Sequence, residues 1–198
     1  MSHPLMYVLG NTEEKNFPLI LTIGREPNYD DVLEDFVGKI NIPEFTSMSG
    51  GVWVTAYTQF AKQYVGITGT SSYMKNLCIS KDASPIVFTN AFPCGIDNSV
   101  QDKESLRELL TDKIPAHINS IFSKSLISRV KLVVQHGSTK SEPSQLATQL
   151  IQSKCKELNI PYCSTPFFYN GNSKLIQNSL SSYQSLVKSI FDGFAKHE

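Results

Sequence analysis

Arginine is scarce in this chain: of its 18 lysines and arginines only Arg25, Arg107 and Arg129 are arginine. Arginine is the better bidentate ligand for phosphate and base edges, so a protein built on tight electrostatic capture of nucleic acid is not what this composition describes. Charged residues of both signs make up 18% of the chain, below the roughly 25% of an average soluble domain. No apolar run approaches the ~20 residues of a membrane span, and the N-terminus lacks the basic start and apolar stretch of a secretory signal. The expected location is cytoplasmic, with no membrane partner. Cys78, Cys94, Cys155 and Cys163 are widely spaced with no CxxC pair, so reduced thiols are expected rather than a zinc ribbon or disulfide framework. The patterns GxxxxGK[ST], GxGxxG, GxSxG and HExxH are missing, which disfavours P-loop, dinucleotide, α/β-hydrolase and zincin chemistry. No metal and no cofactor are expected.

What is present is enough for one core. At 198 residues, 40% hydrophobic and 10% aromatic, the chain fits a single folded domain over 1–198. Its zero net charge hides an asymmetry: residues 1–100 carry 6 basic and 10 acidic side chains, residues 101–198 carry 12 and 8, so the halves stand at −4 and +4.

Four short apolar runs end in turn-forming residues: 18–24 (PLILTIG), 85–91 (PIVFTNA), 130–135 (VKLVVQ) and 160–168 (IPYCSTPFF). Continuous rather than alternating apolarity marks strands buried on both faces. Between them lie helical periods: Val52, Trp53, Ala56, Tyr57, Phe60 and Tyr64, then Leu146, Leu150, Ile151, Cys155 and Leu158. Residues 105–128 predict two helical pieces divided near Pro115, Ser141-Glu142-Pro143 reads as a helix start, and 175–194 predicts one terminal amphipathic helix. Strands alternating with helices predict a three-layer α/β/α domain around a central, mostly parallel sheet of about four strands.

In such sheets ligands bind beyond the strands' C-terminal ends, which makes four loops informative. The first is Gly24-Arg25-Glu26-Pro27-Asn28-Tyr29, where Glu26 can activate water or can simply cap the next helix or pair with Arg25. In the second, Asn90 offers a donor and an acceptor to an amide-like edge such as a nucleobase; an Asx-turn is the plainer role. The third, His136-Gly137-Ser138-Thr139-Lys140, combines hydroxyls with a helix start suited to an anion, or to capping alone. The fourth, Thr165-Pro166-Phe167-Phe168-Tyr169-Asn170-Gly171-Asn172-Ser173, can stack on a base, or can place its aromatics in the core with Ser173 capping the next helix.

Taken in order, LILTIGREPN, PIVFTNAFPC and the helix-then-strand segment 106–137 ending in a glycine resemble the uracil-DNA glycosylase superfamily over most of residues 18–175. The resemblance implies hydrolysis of the N-glycosidic bond of a deaminated or damaged base, with DNA or a free nucleobase or nucleoside as partner and a monomer or weak homo-oligomer as assembly. It makes Glu26 the residue that positions water, Asn90 the reader of the base, and Phe36 or Phe45, with Trp53 behind them, the stacking platform; Asn28 and Ser138 are further substrate contacts. Family members carry a His-Pro-Ser motif after the last strand. This chain has Ser164-Thr165-Pro166, so Thr165 stands where that His would be and His136 is the substitute from the neighbouring strand. The family's iron–sulfur branches do not match, because only Cys94 falls near one of their cluster cysteines. Two further functions stay open: a non-catalytic nucleobase or nucleic-acid binding module of the same fold, and a small-molecule nucleoside hydrolase.

Overall fold

The computed structural model describes residues 8–9, 11–12, 14–25, 39–40, 52–66, 71–93 and 102–197. In chain order its elements are β1 (Val8–Leu9), β2 (Leu19–Gly24), β3 (Lys39–Ile40), α1 (Val52–Val65), α2 (Ser71–Lys81), β4 (Ile86–Asn90) and α3 (Lys103–Glu108). A π-helical turn (Leu109–Lys113) leads into α4 (Ile114–Phe122), then a 3-10 turn (Ser125–Arg129), β5 (Val130–His136), α5 (Glu142–Glu157), β6 (Tyr162–Thr165), α6 (Ser173–Ser181) and α7 (Gln184–Lys196).

Four strands form a wholly parallel sheet in the order β4-β2-β5-β6, while β1 and β3 make a separate two-stranded pair. Every residue of β2 is buried, and in β5 only Lys131 reaches solvent. Burial without alternation requires cover on both faces. Contacts sort the helices into two sets: α1 packs on α2, α6 and α7, with α7 lying on β2 and β5, whereas α4 packs on α5. The α/β class and the four-stranded parallel sheet expected from the sequence are thus present.

Boundaries differ in three places. The last strand covers Tyr162–Thr165 rather than 160–168, because Pro161 and Pro166 bracket it and neither can donate to a ladder. The terminal helix is two helices: the chain breaks at Ser182 and Tyr183, where the Tyr183 hydroxyl donates to the Tyr162 carbonyl at 2.5 Å. The two helical pieces expected over 105–128 are present, with Pro115 in the first turn of the second, but the expected break is not: α3 runs through the π turn into α4. Helix α2 is not expected from the sequence, since among its described side chains only Met74 and Cys78 are fully buried and its periodicity is faint.

The strand order places a topological switch between β2 and β5: from β2 the chain winds outward to β4, then returns past β2 to β5 and β6. In open α/β sheets the crevice outside the strand ends at such a switch is the usual ligand site.

Candidate functional site

Register puts four residues in one row across the ends of the strands. Gly24 pairs with Asn90, Ile23 pairs with Gln135 one step before His136, and His136 pairs with Thr165. Residues in register point to the same side of a parallel sheet, so Asn90, Gly24, His136 and Thr165 share a face. A Cβ at Gly24 would sit 3.0 Å from Asn90 Oδ1 and 3.2 Å from His136 Nε2. The missing side chain is therefore what lets an amide and an imidazole approach one point from two strands.

His136 is 3% exposed and held by aromatic packing. Its ring stacks on Phe168 with centroids 4.5 Å apart and planes 14° apart, and Phe167 lies against it at 5.4 Å. Phe168 in turn meets Phe60 of α1 edge-on at 6.2 Å. Burial pushes the imidazole down to about 4, so the ring is neutral at pH 7. Its Nδ1 is buried without a hydrogen-bond partner among the described residues. A lone buried polar atom costs about 1–3 kcal/mol. Phe at this position would stack without that cost, so packing alone does not account for a histidine. One row deeper on the same face, Thr22 Oγ1 is likewise buried and unpartnered.

Asn90 is fixed through its backbone. Ala91 donates to the Gly24 carbonyl at 2.7 Å, Phe92 donates to the Arg25 carbonyl at 3.0 Å, and His117 Nε2 lies 2.9 Å from the Asn90 carbonyl. Thr165 is buried, but its hydroxyl donates to the adjacent Pro166 carbonyl at 3.1 Å. A donor already bonded within its own turn is poorly placed to serve a ligand. Glu26, Asn28, Phe36 and Phe45 lie outside the described residues, as does Cys94.

Ser138 is exposed on the loop after β5. The same loop satisfies its own donors: Thr139 N–H bonds Ser144 Oγ at 2.8 Å and Ser141 N–H bonds Thr139 Oγ1 at 3.4 Å, while Glu142 occupies the first turn of α5. Those bonds hold the loop itself, and the acidic Glu142 at the start of the helix disfavours an anion there. Ser141 holds the N-cap position without a side-chain cap bond. In the last loop Asn172, not Ser173, is the N-cap residue. Phe168 is core, whereas Phe167 and Tyr169 are 43% and 53% exposed. This loop and α6 are tied to α1 by amides: Gln177 Nε2 donates to Gln59 Oε1 at 2.5 Å, Gln63 Nε2 donates to Gln177 Oε1 at 2.9 Å, and Gln59 Nε2 donates to Ser173 Oγ at 2.9 Å.

Several of these groups carried no signal in the sequence. His117 sits in a helical stretch like any other polar residue, and the role of Gly24 as a gap between two side chains exists only once β4 and β5 flank β2. The sequence Gly24-Arg25-Glu26-Pro27 does point to the first of these strand ends.

Among the described residues no group of three or more His, Cys, Asp or Glu could hold a metal ion, and no helix is long and apolar enough to cross a membrane. No known family's sequence model matches this chain, and no curated protein matches it.

Proposed function

We propose that the row at the strand ends binds a nucleobase, and that the chain is a divergent relative of the uracil-DNA glycosylases that hydrolyses the N-glycosidic bond of a deaminated or damaged base. The observation that carries this is the convergence of Asn90 Oδ1 and the neutral His136 Nε2 on the space beside Gly24. An amide presents both donor and acceptor to a lactam edge, and a neutral imidazole beside it can donate to an oxygen that gains charge as the glycosidic bond breaks. Departure of the base leaves an oxocarbenium-like sugar, which a carboxylate stabilises while it orients water. Glu26, two residues after Gly24 in the chain, is assigned that role on the sequence resemblance.

Release of free uracil or hypoxanthine from a labelled oligonucleotide tests the proposal. Wild type is expected to release base, Glu26→Gln to abolish release and Asn90→Asp to change which base is taken. Release that both variants leave unchanged would reject these roles.

A second reading, binding without turnover, is favoured by Thr165, whose hydroxyl is spent on Pro166 where the resembling family has a catalytic His. Losing one such preorganised donor lowers rates by roughly 100-fold to 1,000-fold. Saturable binding of nucleobases with no product on long incubation supports this module; turnover of free nucleosides in preference to DNA supports a nucleoside hydrolase instead.

A further inference from the structure

We propose that His117 of α4 is a positioning residue that sets the orientation of Asn90 at the strand end; this rests on Asn90 being the base-reading group. Strand β4 is at the edge of the four-stranded sheet. Ala91 N–H bonds the Gly24 carbonyl, so by the alternation of a β ladder the Asn90 carbonyl points away from β2 towards the open edge. Among the described residues no strand hydrogen-bonds β4 on that side. His117 Nε2, 2.9 Å away, supplies the bond. The peptide that carries the Asn90 Cα is thereby anchored on both sides, through Ala91 to β2 and through His117 to α4. Rotation of that peptide would swing the side-chain amide out of the row.

The helix is built to deliver this side chain. Ile114 N–H bonds the Leu109 carbonyl, five residues back, which makes the turn over Leu109–Lys113 a π turn. Pro115, next in sequence, has no N–H to give to the ladder. A π turn inserts one residue, and each residue turns an α-helix by about 100°, so everything after it is rotated by that amount relative to an uninterrupted helix. Without the insertion His117 would leave α4 in a different direction from the one that meets β4.

Burial lowers the His117 pKa, so the ring is neutral at pH 7 and has one N–H. A bond to a carbonyl commits that hydrogen to Nε2. The imidazole ¹⁵N shifts of the whole protein report the tautomer directly: the Nε2–H form is expected, and an Nδ1–H form overturns the proposal. The functional arm measures binding of uracil and hypoxanthine by calorimetry. His117→Phe, which keeps a flat ring and removes the donor, is expected to weaken binding about tenfold, while His117→Gln, which keeps an N–H donor, stays within about threefold of wild type. In an Asn90→Ala background, His117→Phe is expected to have no further effect. Equal binding by wild type and His117→Phe, or an undiminished effect of His117→Phe without Asn90, overturns the positioning role. Wild type that binds neither base overturns the base-reading site itself, which the tautomer measurement does not address.

Discussion

At the C-terminal end of the sheet, Asn90 and the buried His136 bring polar atoms together beside Gly24. At the opposite end, where β5 and β6 begin, lies an open cleft of about 450 Å³ lined by Phe122, Lys124, Ile127, Lys131, Leu158 and Ile160 among others. The cleft shows the ordinary exposure of strand starts and a short 3-10 turn, with Leu158 42% exposed and no carboxylate in its wall. The upper end shows a cost that packing does not explain, a buried imidazole whose Nδ1 has no partner among the described residues, beside a glycine where an added Cβ would crowd Asn90 and His136. An unexplained cost is a better guide to a site here than an open cleft.

The largest effect that would break this contrast is acid destabilisation centred on His136. Its folded pKa, about 4, lies below the ordinary 6.5, so the unfolded chain binds more protons between these values and stability falls as pH drops from 6.5 towards 4. At about 1.4 kcal/mol per unit the loss approaches roughly 3 kcal/mol at pH 4, with His117 adding to it in the same direction. Denaturant titrations of wild type and His136→Phe across that range isolate the contribution as their difference; parallel curves would show that His136 is not held neutral by burial.

Next in size, Asn90→Ala is expected to weaken nucleobase binding about 30-fold, the equivalent of about 2 kcal/mol, as seen by calorimetry. Lys131→Ala, in the cleft at the other end, should leave it unchanged. A reversed result would move the site to the cleft.

Gly24→Ala sharpens the comparison further. Asn90 can swing its amide aside, but the His136 ring is pinned by Phe168, so the added methyl is expected to cost about 1–2 kcal/mol of stability and to reduce base binding together with it. Unfolding midpoints and binding constants on the same variant check both. The smallest effect belongs to Leu158→Ser, expected to shift stability by no more than about 0.5 kcal/mol because the side chain is already partly in water.

Much of this arrangement was legible in advance. The first three strands fall within one residue of the apolar runs that predict them, since a strand buried on both faces must be continuously apolar and is punctuated by Gly, Pro or Asn. Asn90 and His136 are legible as strand-end residues, Asn90 also for its amide chemistry and both through the family resemblance. The helix-to-helix continuity through the π turn was not legible: Pro115 signals an interruption in hydrogen bonding, but whether the chain parts or absorbs it as one extra residue depends on what the next turn packs against. The break at Tyr183 escaped notice for the same reason, as its partner is a carbonyl on β6.

The sequence by itself determined the class of fold, the positions of the buried strands and the short list of polar residues at their ends, because hydrophobic periodicity and turn chemistry are local properties. Only the tertiary structure decided that Asn90 and His136 approach one point beside Gly24, that His136 is buried in a stack on Phe168 and that His117 reaches the Asn90 carbonyl. Those relations depend on strand order, register and the phase of a distant helix, and such quantities are fixed by packing between segments that no local pattern encodes.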